Sequence, residues 1–173
     1  MTKFMVTVAL VTALVSASYG AEIETRYATL VYAQEDLLKT FNKEVRLGGL
    51  SYLVRNRTSI TVADEVKNKV DAIIEKVQSV LAMFPKMPRF KIVLLSSTSD
   101  VAKVYKALYL KNADYIAFYS PREKTVYVSV DDASLHVFAH ELAHVVIDHY
   151  FGIAPPTHIH EVLAQYVEAH LED

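Results

Sequence analysis

The ten residues Val137–Val146, VFAHELAHVV, carry one charge, at Glu141. A stretch this apolar, inside ASLHVFAHELAHVVIDHY, reads as a helix packed on several sides rather than a surface helix with one apolar stripe. Two histidines and a glutamate at its centre are costly to bury unless they are paired or bound to a metal. A fold that accepts this helix must therefore wrap it in apolar partners and still give three polar side chains something to hold.

The spacing says what that can be. His140 and His144 are four residues apart, which places both imidazoles on one helix face about a turn from each other. Two rings so placed can share one ion, and Glu141 stands beside them without being a ligand. This is the H-E-x-x-H pattern, two zinc ligands and a general base. A helix with hydrogen-bonded core histidines is the competing structural explanation. Catalytic zinc takes three protein ligands and keeps a fourth position open. Downstream residues able to be the third are Asp148, His149, His158, His160, Glu161, Glu168 and His170. A histidine six residues after His144 is excluded, because position 150 is Tyr.

The following segment, PPTHIHEVLAQYVEAH, resembles the second zinc-binding helix of the gluzincin group of metallopeptidases. Pro156, Ile159, Glu161, Leu163, Ala164 and Tyr166 stand in the order of that group's P-x-W-[LI]-x-E-G-[LM]-A-x-Y segment. His158 replaces the common tryptophan, and Val162 the common glycine. The resemblance spans about residues 90–170. It implies Glu161 as third ligand, with Glu168 in reserve on nearly the same face. It also implies a zincin-like fold and a peptide or protein substrate lying along the strand at 115–119. Gln165, four residues after Glu161, is placed to orient His140. Asp148, four after His144, is placed to orient that ring. Tyr166 is a packing residue or a phenol able to stabilise an oxyanion.

The rest of the chain predicts an α+β fold: a small mixed sheet with an antiparallel hairpin, packed by helices. TRYATLVYA (25–33) has strand character, and QEDLLKTFNKEVRL reads as a helix ended by Gly48 and Gly49. SYLVRNRTSI fits a strand or an extended loop. Val62, Val66, Val70, Ile73, Ile74, Val77, Val80 and Leu81 recur at three and four residues, a long amphipathic helix with Thr61 as N-cap. FKIVLLS predicts a buried strand and SDVAKVYKALYL a helix. DYIAFYS and KTVYVSV, joined by PREK, predict the hairpin. THIHEVLAQYVEAHLE is a last helix with Thr157 as N-cap.

Residues 1–20 have the layout of a secretory signal: Lys3, an apolar run from Phe4 to Val15, then small residues before a cleavage site after Gly20. That predicts an exported protein, periplasmic or secreted, with residues 21–173 as one domain and no stable membrane insertion after cleavage. Removing Lys3 leaves 17 basic against 20 acidic residues, a formal charge of −3. This mild acidity offers no footprint for nucleic acid. The chain has no cysteine, so stability rests on packing or on a metal. The sequence points to an exported zinc metallopeptidase. The alternatives are a metallopeptidase-like domain that binds zinc or peptide without turnover, and a latent peptidase covered by residues 22–60.

Overall fold

The computed structural model describes residues 20–86 and 89–173. All of the predicted export signal except Gly20 lies outside the described residues. Among those described, no helix is long and apolar enough to cross a membrane.

The fold is α+β. Strands β1 (Ala21–Glu24), β2 (Ala28–Tyr32), β3 (Phe90–Leu95), β4 (Ala117–Ser120) and β5 (Thr125–Ser129) form one mixed sheet in the order β1-β2-β3-β5-β4. The β1–β2 and β4–β5 pairs are antiparallel, and β2–β3 and β3–β5 are parallel. Each parallel pair needs a crossover. The first runs through α1 (Glu35–Glu44), a 3-10 helix (Gly48–Val54) and α2 (Val62–Leu81). The second runs through α3 (Thr98–Tyr109) and the edge strand β4. Helices α4 (Leu135–Tyr150) and α5 (Thr157–His170) complete the chain.

Strand alternation divides the core. Phe90, Ile92 and Leu94 of β3, with Val126 and Val128 of β5, face α1, α2 and α4. On the other face, α3 covers Phe118 with Tyr105 and Tyr109, at ring-centroid distances of 5.1 and 6.3 Å. Helix α4 is buried along Leu135, Phe138, Ala139, Leu142, Ala143, Val145, Val146 and Ile147, as its apolar sequence requires. The ring of Phe138 meets Phe41 of α1 edge-on at 5.2 Å.

Local signals account for most boundaries. Thr61 caps α2 in a reciprocal capping box with Asp64. Ser97 and Ser134 cap α3 and α4 by accepting from the backbone amides of Asp100 and Val137. Four expectations need correction. The strand predicted over 25–33 is β2 alone. A turn at Thr25–Tyr27 precedes it, and β1 lies before that turn. Thr25 Oγ1 accepts from the amides of Tyr27 and Ala28, and the buried Asp71 carboxylate accepts from that of Arg26. Gly48 and Gly49 do not end α1, which stops at Val45. They open the 3-10 helix, where Gly48 takes φ +53° and a Cβ would meet Glu172 Oε1 at 2.9 Å. The stretch expected as strand or loop carries the last four residues of that 3-10 helix, Ser51–Val54. Thr157 is the first residue of α5 rather than its cap; Pro156 holds the cap position without a side-chain bond.

Residues 22–60 are built into the far edge of the sheet and the core beneath α4. Leu30, Leu38, Phe41, Val45 and Leu50 are buried there.

Two measurements follow from this packing. Phe41→Ala is expected to cost about 3–5 kcal/mol of unfolding free energy, and Thr61→Ala about 1 kcal/mol, in denaturant titrations of the two variants. Lys69 of α2 bonds the Asn42 carbonyl of α1. Burial lowers its ammonium from 10.5 to about 8, with Glu65 opposing. The fold thus favours the neutral amine. That stabilisation is full above pH 10.5 and is lost as pH falls through about 8. The stability difference between the parent and Lys69→Met should therefore shift in favour of the parent from pH 8 to 10.5. A flat difference would contradict this account of Lys69.

Candidate metal centre

Helix α4 passes beside the edge strand β4, and α5 returns across α4 after the break at residues 151–156. This brings together the three residues expected from the sequence. His140, His144 and Glu161 each offer a ligand atom, all within 4.8 Å of one another. The two Nε2 atoms are 3.1 Å apart. Glu161 Oε2 lies 3.5 Å from His140 Nε2, and Oε1 lies 3.6 Å from His144 Nε2. Donor atoms held by one tetrahedral zinc at ~2.0–2.1 Å stand about 3.3 Å from each other. The three residues fit a metal ion on spacing and on donor chemistry.

Ring chemistry agrees. His140 Nδ1 bonds Glu168 Oε1. A carboxylate accepts, so Nδ1 carries the proton and Nε2 keeps its lone pair toward the other two ligands. Burial, with His140 and His160 adding to it, holds His144 down at about 4. Its ring is therefore neutral near pH 7.

Glu141 reaches β4. Its Oε2 accepts the Tyr119 backbone N–H at 2.7 Å. Burial pushes its carboxyl up to about 7; His140 and the Tyr119 amide pull the other way, and Glu161 and Glu168 add to the rise. A carboxyl in that range is poised to take up and release a proton.

The residues expected to orient the histidines are arranged differently. Gln165 is exposed and its side chain makes no hydrogen bond to the described residues. Glu168, expected as a reserve ligand, holds His140 instead. Helix phase admits both, since seven residues turn about 700° and four about 400°, each near whole turns; the contact itself is made by Glu168. Asp148 does not orient His144. Its Oδ2 accepts the Tyr119 hydroxyl at 2.8 Å, and burial and that carboxylate raise the phenol above its ordinary value. Tyr166 is exposed and stacks on His170 at 4.1 Å. It lines neither pocket beside the cluster. Val162, where a smaller residue is common in the resembled segment, is 59% exposed and also outside both pockets.

Sequence reading did not find Tyr119. Its role depends on β4 lying against α4, a contact between segments that no local spacing encodes.

Two open pockets flank the cluster. One, of about 290 Å³, is lined by Tyr119, Pro121, His144, Asp148, Ala154, Pro155, Thr157, His160 and Glu161. The other, of about 270 Å³, is lined by residues 114–117 with Val137, His140, Glu141 and Glu168. Together they follow the outer edge of β4. Residues 22–60 line neither. The amide of Ser129 donates to the Ile116 carbonyl. Antiparallel alternation then turns the backbone groups of Ala117 and Tyr119 outward, away from β5.

Comparisons with known protein families, curated proteins and solved structures found no match.

Metal content of the purified chain tests the centre. One ion per chain is expected, absent after His140→Ala or Glu161→Ala. Glu168→Gln should weaken affinity about 10- to 100-fold in competition with a chromogenic chelator. Gln165→Ala should leave it unchanged. Equal effects at 165 and 168 would refute the assignment of Glu168.

Proposed function

We propose that the chain is a zinc-dependent metallopeptidase of gluzincin type, exported by its N-terminal segment. The observation that carries this reading is the placement of Glu141. It lies beside a three-residue metal centre, on the side facing an open sheet edge, with its carboxyl held by that edge.

His140, His144 and Glu161 would hold the ion, and two imidazoles with one carboxylate suit zinc best. Zinc at that position would supply Lewis acidity, making water nucleophilic near neutral pH and drawing charge from a carbonyl oxygen. Glu168 fixes the His140 ring. The Tyr119 amide takes one Glu141 oxygen, which fixes the carboxylate plane. Glu141 accepts the proton as water adds to the peptide carbon. It returns that proton to the amine nitrogen as the carbon–nitrogen bond breaks.

Substrate is positioned by strand addition. Ala117 presents an outward N–H and C=O, and Tyr119 an outward C=O, to an extended peptide. The flanking pockets receive side chains on the two sides of the bond to be cut. A folded domain would reach this edge only through an exposed extended segment, so flexible peptides and loops are the favoured substrates.

The test is hydrolysis of an unstructured peptide mixture, read by mass spectrometry, with Glu141→Gln beside the parent. Cleavage by the parent, reduced about 10²- to 10⁴-fold in the variant with metal content retained, is the expected result. A parent that binds zinc and peptide but cuts nothing would make the chain a binding domain instead.

A further inference from the structure

The pocket beyond His144 has a feature that peptide hydrolysis does not require. Asp148 sits in its wall, one turn past His144 on α4. The Tyr119 hydroxyl holds one carboxylate oxygen at 2.8 Å. The other oxygen takes no hydrogen bond from the described residues. Pro121, Ala154 and Pro155 supply apolar wall, and Thr157 and His160 supply polar atoms. A carboxylate fixed by a buried phenol, beside apolar wall, matches a side chain with a methylene stem and a cationic end.

The charge of the whole cleft agrees. The residues lining its two pockets include Asp114, Glu141, Asp148, Glu161 and Glu168 and no lysine or arginine. A divalent ion would offset part of that charge: Glu161 would be its ligand, while Glu168 is engaged with His140 Nδ1 and Glu141 with the Tyr119 amide. Asp148 lies outside that group, and its carboxylate remains for a ligand. A site built around a fixed carboxylate also discriminates strongly, because an apolar side chain would leave the charge dehydrated and unpaired.

Resting on the peptidase reading, we propose that the cleft selects peptides carrying Lys or Arg beside the scissile bond, with Asp148 holding the cationic end in the pocket beyond His144.

The experiment compares peptides of one sequence with Arg, Lys, Leu or Glu at each position flanking the cut, using zinc-loaded parent, Asp148→Asn and Asp148→Ala. Asn keeps an oxygen for the Tyr119 hydroxyl, so strand and helix stay joined while the charge is removed. The parent is expected to favour Arg and Lys over Leu at one flanking position. In Asp148→Asn the Arg-to-Leu ratio of kcat/KM should fall on the order of tenfold to a hundredfold. Asp148→Ala should lose the preference as well, with circular dichroism reporting whether the fold is kept. Binding of the same peptides to Glu141→Gln gives the ratio independently of turnover. Cleavage with no basic preference, or a preference unchanged in Asp148→Asn, would overturn the proposal and leave the peptidase reading standing. No cleavage of any peptide by zinc-loaded parent would defeat the peptidase reading. In that case, equal binding of Arg and Leu peptides to the parent would end the pocket assignment too.

Discussion

Tyr119 ties the open edge of the sheet to α4 at two points. Its backbone N–H reaches Glu141 and its hydroxyl reaches Asp148, at 2.7 and 2.8 Å. The two acceptors are seven residues apart, about 10 Å along the helix axis. Two bonds that far apart fix the position of the strand along the helix and its tilt. An edge strand is otherwise the least constrained part of a sheet and invites unwanted pairing. Here it is short, and one of its outward amides is already engaged. The same bond aims the carboxylate that the proposed chemistry would use. Stability of the edge and geometry of the site therefore rest on one residue.

The site also carries a penalty of burial. Burial drives Glu141 up to about 7 and His144 down to about 4, so both lean toward their neutral forms. Such shifts are what a dehydrated cluster does when its charges lack partners. A cation at His140, His144 and Glu161 would favour both neutral imidazole and ionised carboxylate. Metal affinity and folding stability are then coupled, as in any site whose ligands are held together by the fold. The apolar sides of α4 provide the packing that tolerates this cost, with Phe138 against Phe41 and Leu142 fully buried.

Much of this was legible in the sequence, for reasons that differ by element. The repeat from Val62 to Leu81 and the cap at Thr61 encode α2 locally, and the pair His140–His144 encodes one face of α4. PREK between two tyrosine-rich runs encodes the hairpin. What could not be read involves distant partners. Strand β1 is four residues, AEIE, and turns into β2 because Asp71 of α2 satisfies the Arg26 amide. Asp148 follows His144 by one turn, which suggests a partner on the same helix face, yet a tyrosine 29 residues upstream takes it. The division of labour between Glu161 and Glu168 was half legible. Helix phase puts both on one face, and only the packing of α5 on α4 decides which meets Nε2 and which meets Nδ1.

That packing explains why the centre needs two helices acting as rulers. On α4 the candidate ligands are four apart, and the two Nε2 atoms converge at 3.1 Å. On α5 the carboxylates are seven apart and approach His140 from its two nitrogens. Ala164 and Val167, between them, are fully buried and set how α5 rests on α4. A slip of α5 by one residue would rotate its face by about 100° and remove ligand and orienting carboxylate together. A slip by a full heptad would bring Glu161 to the place of Glu168 and leave the metal side empty. The register of α5 is thus specified both by its small buried residues and by two carboxylates whose ideal positions agree. This agreement between packing and chemistry is what the proposed metal centre has and two histidines sharing a buried helix would lack.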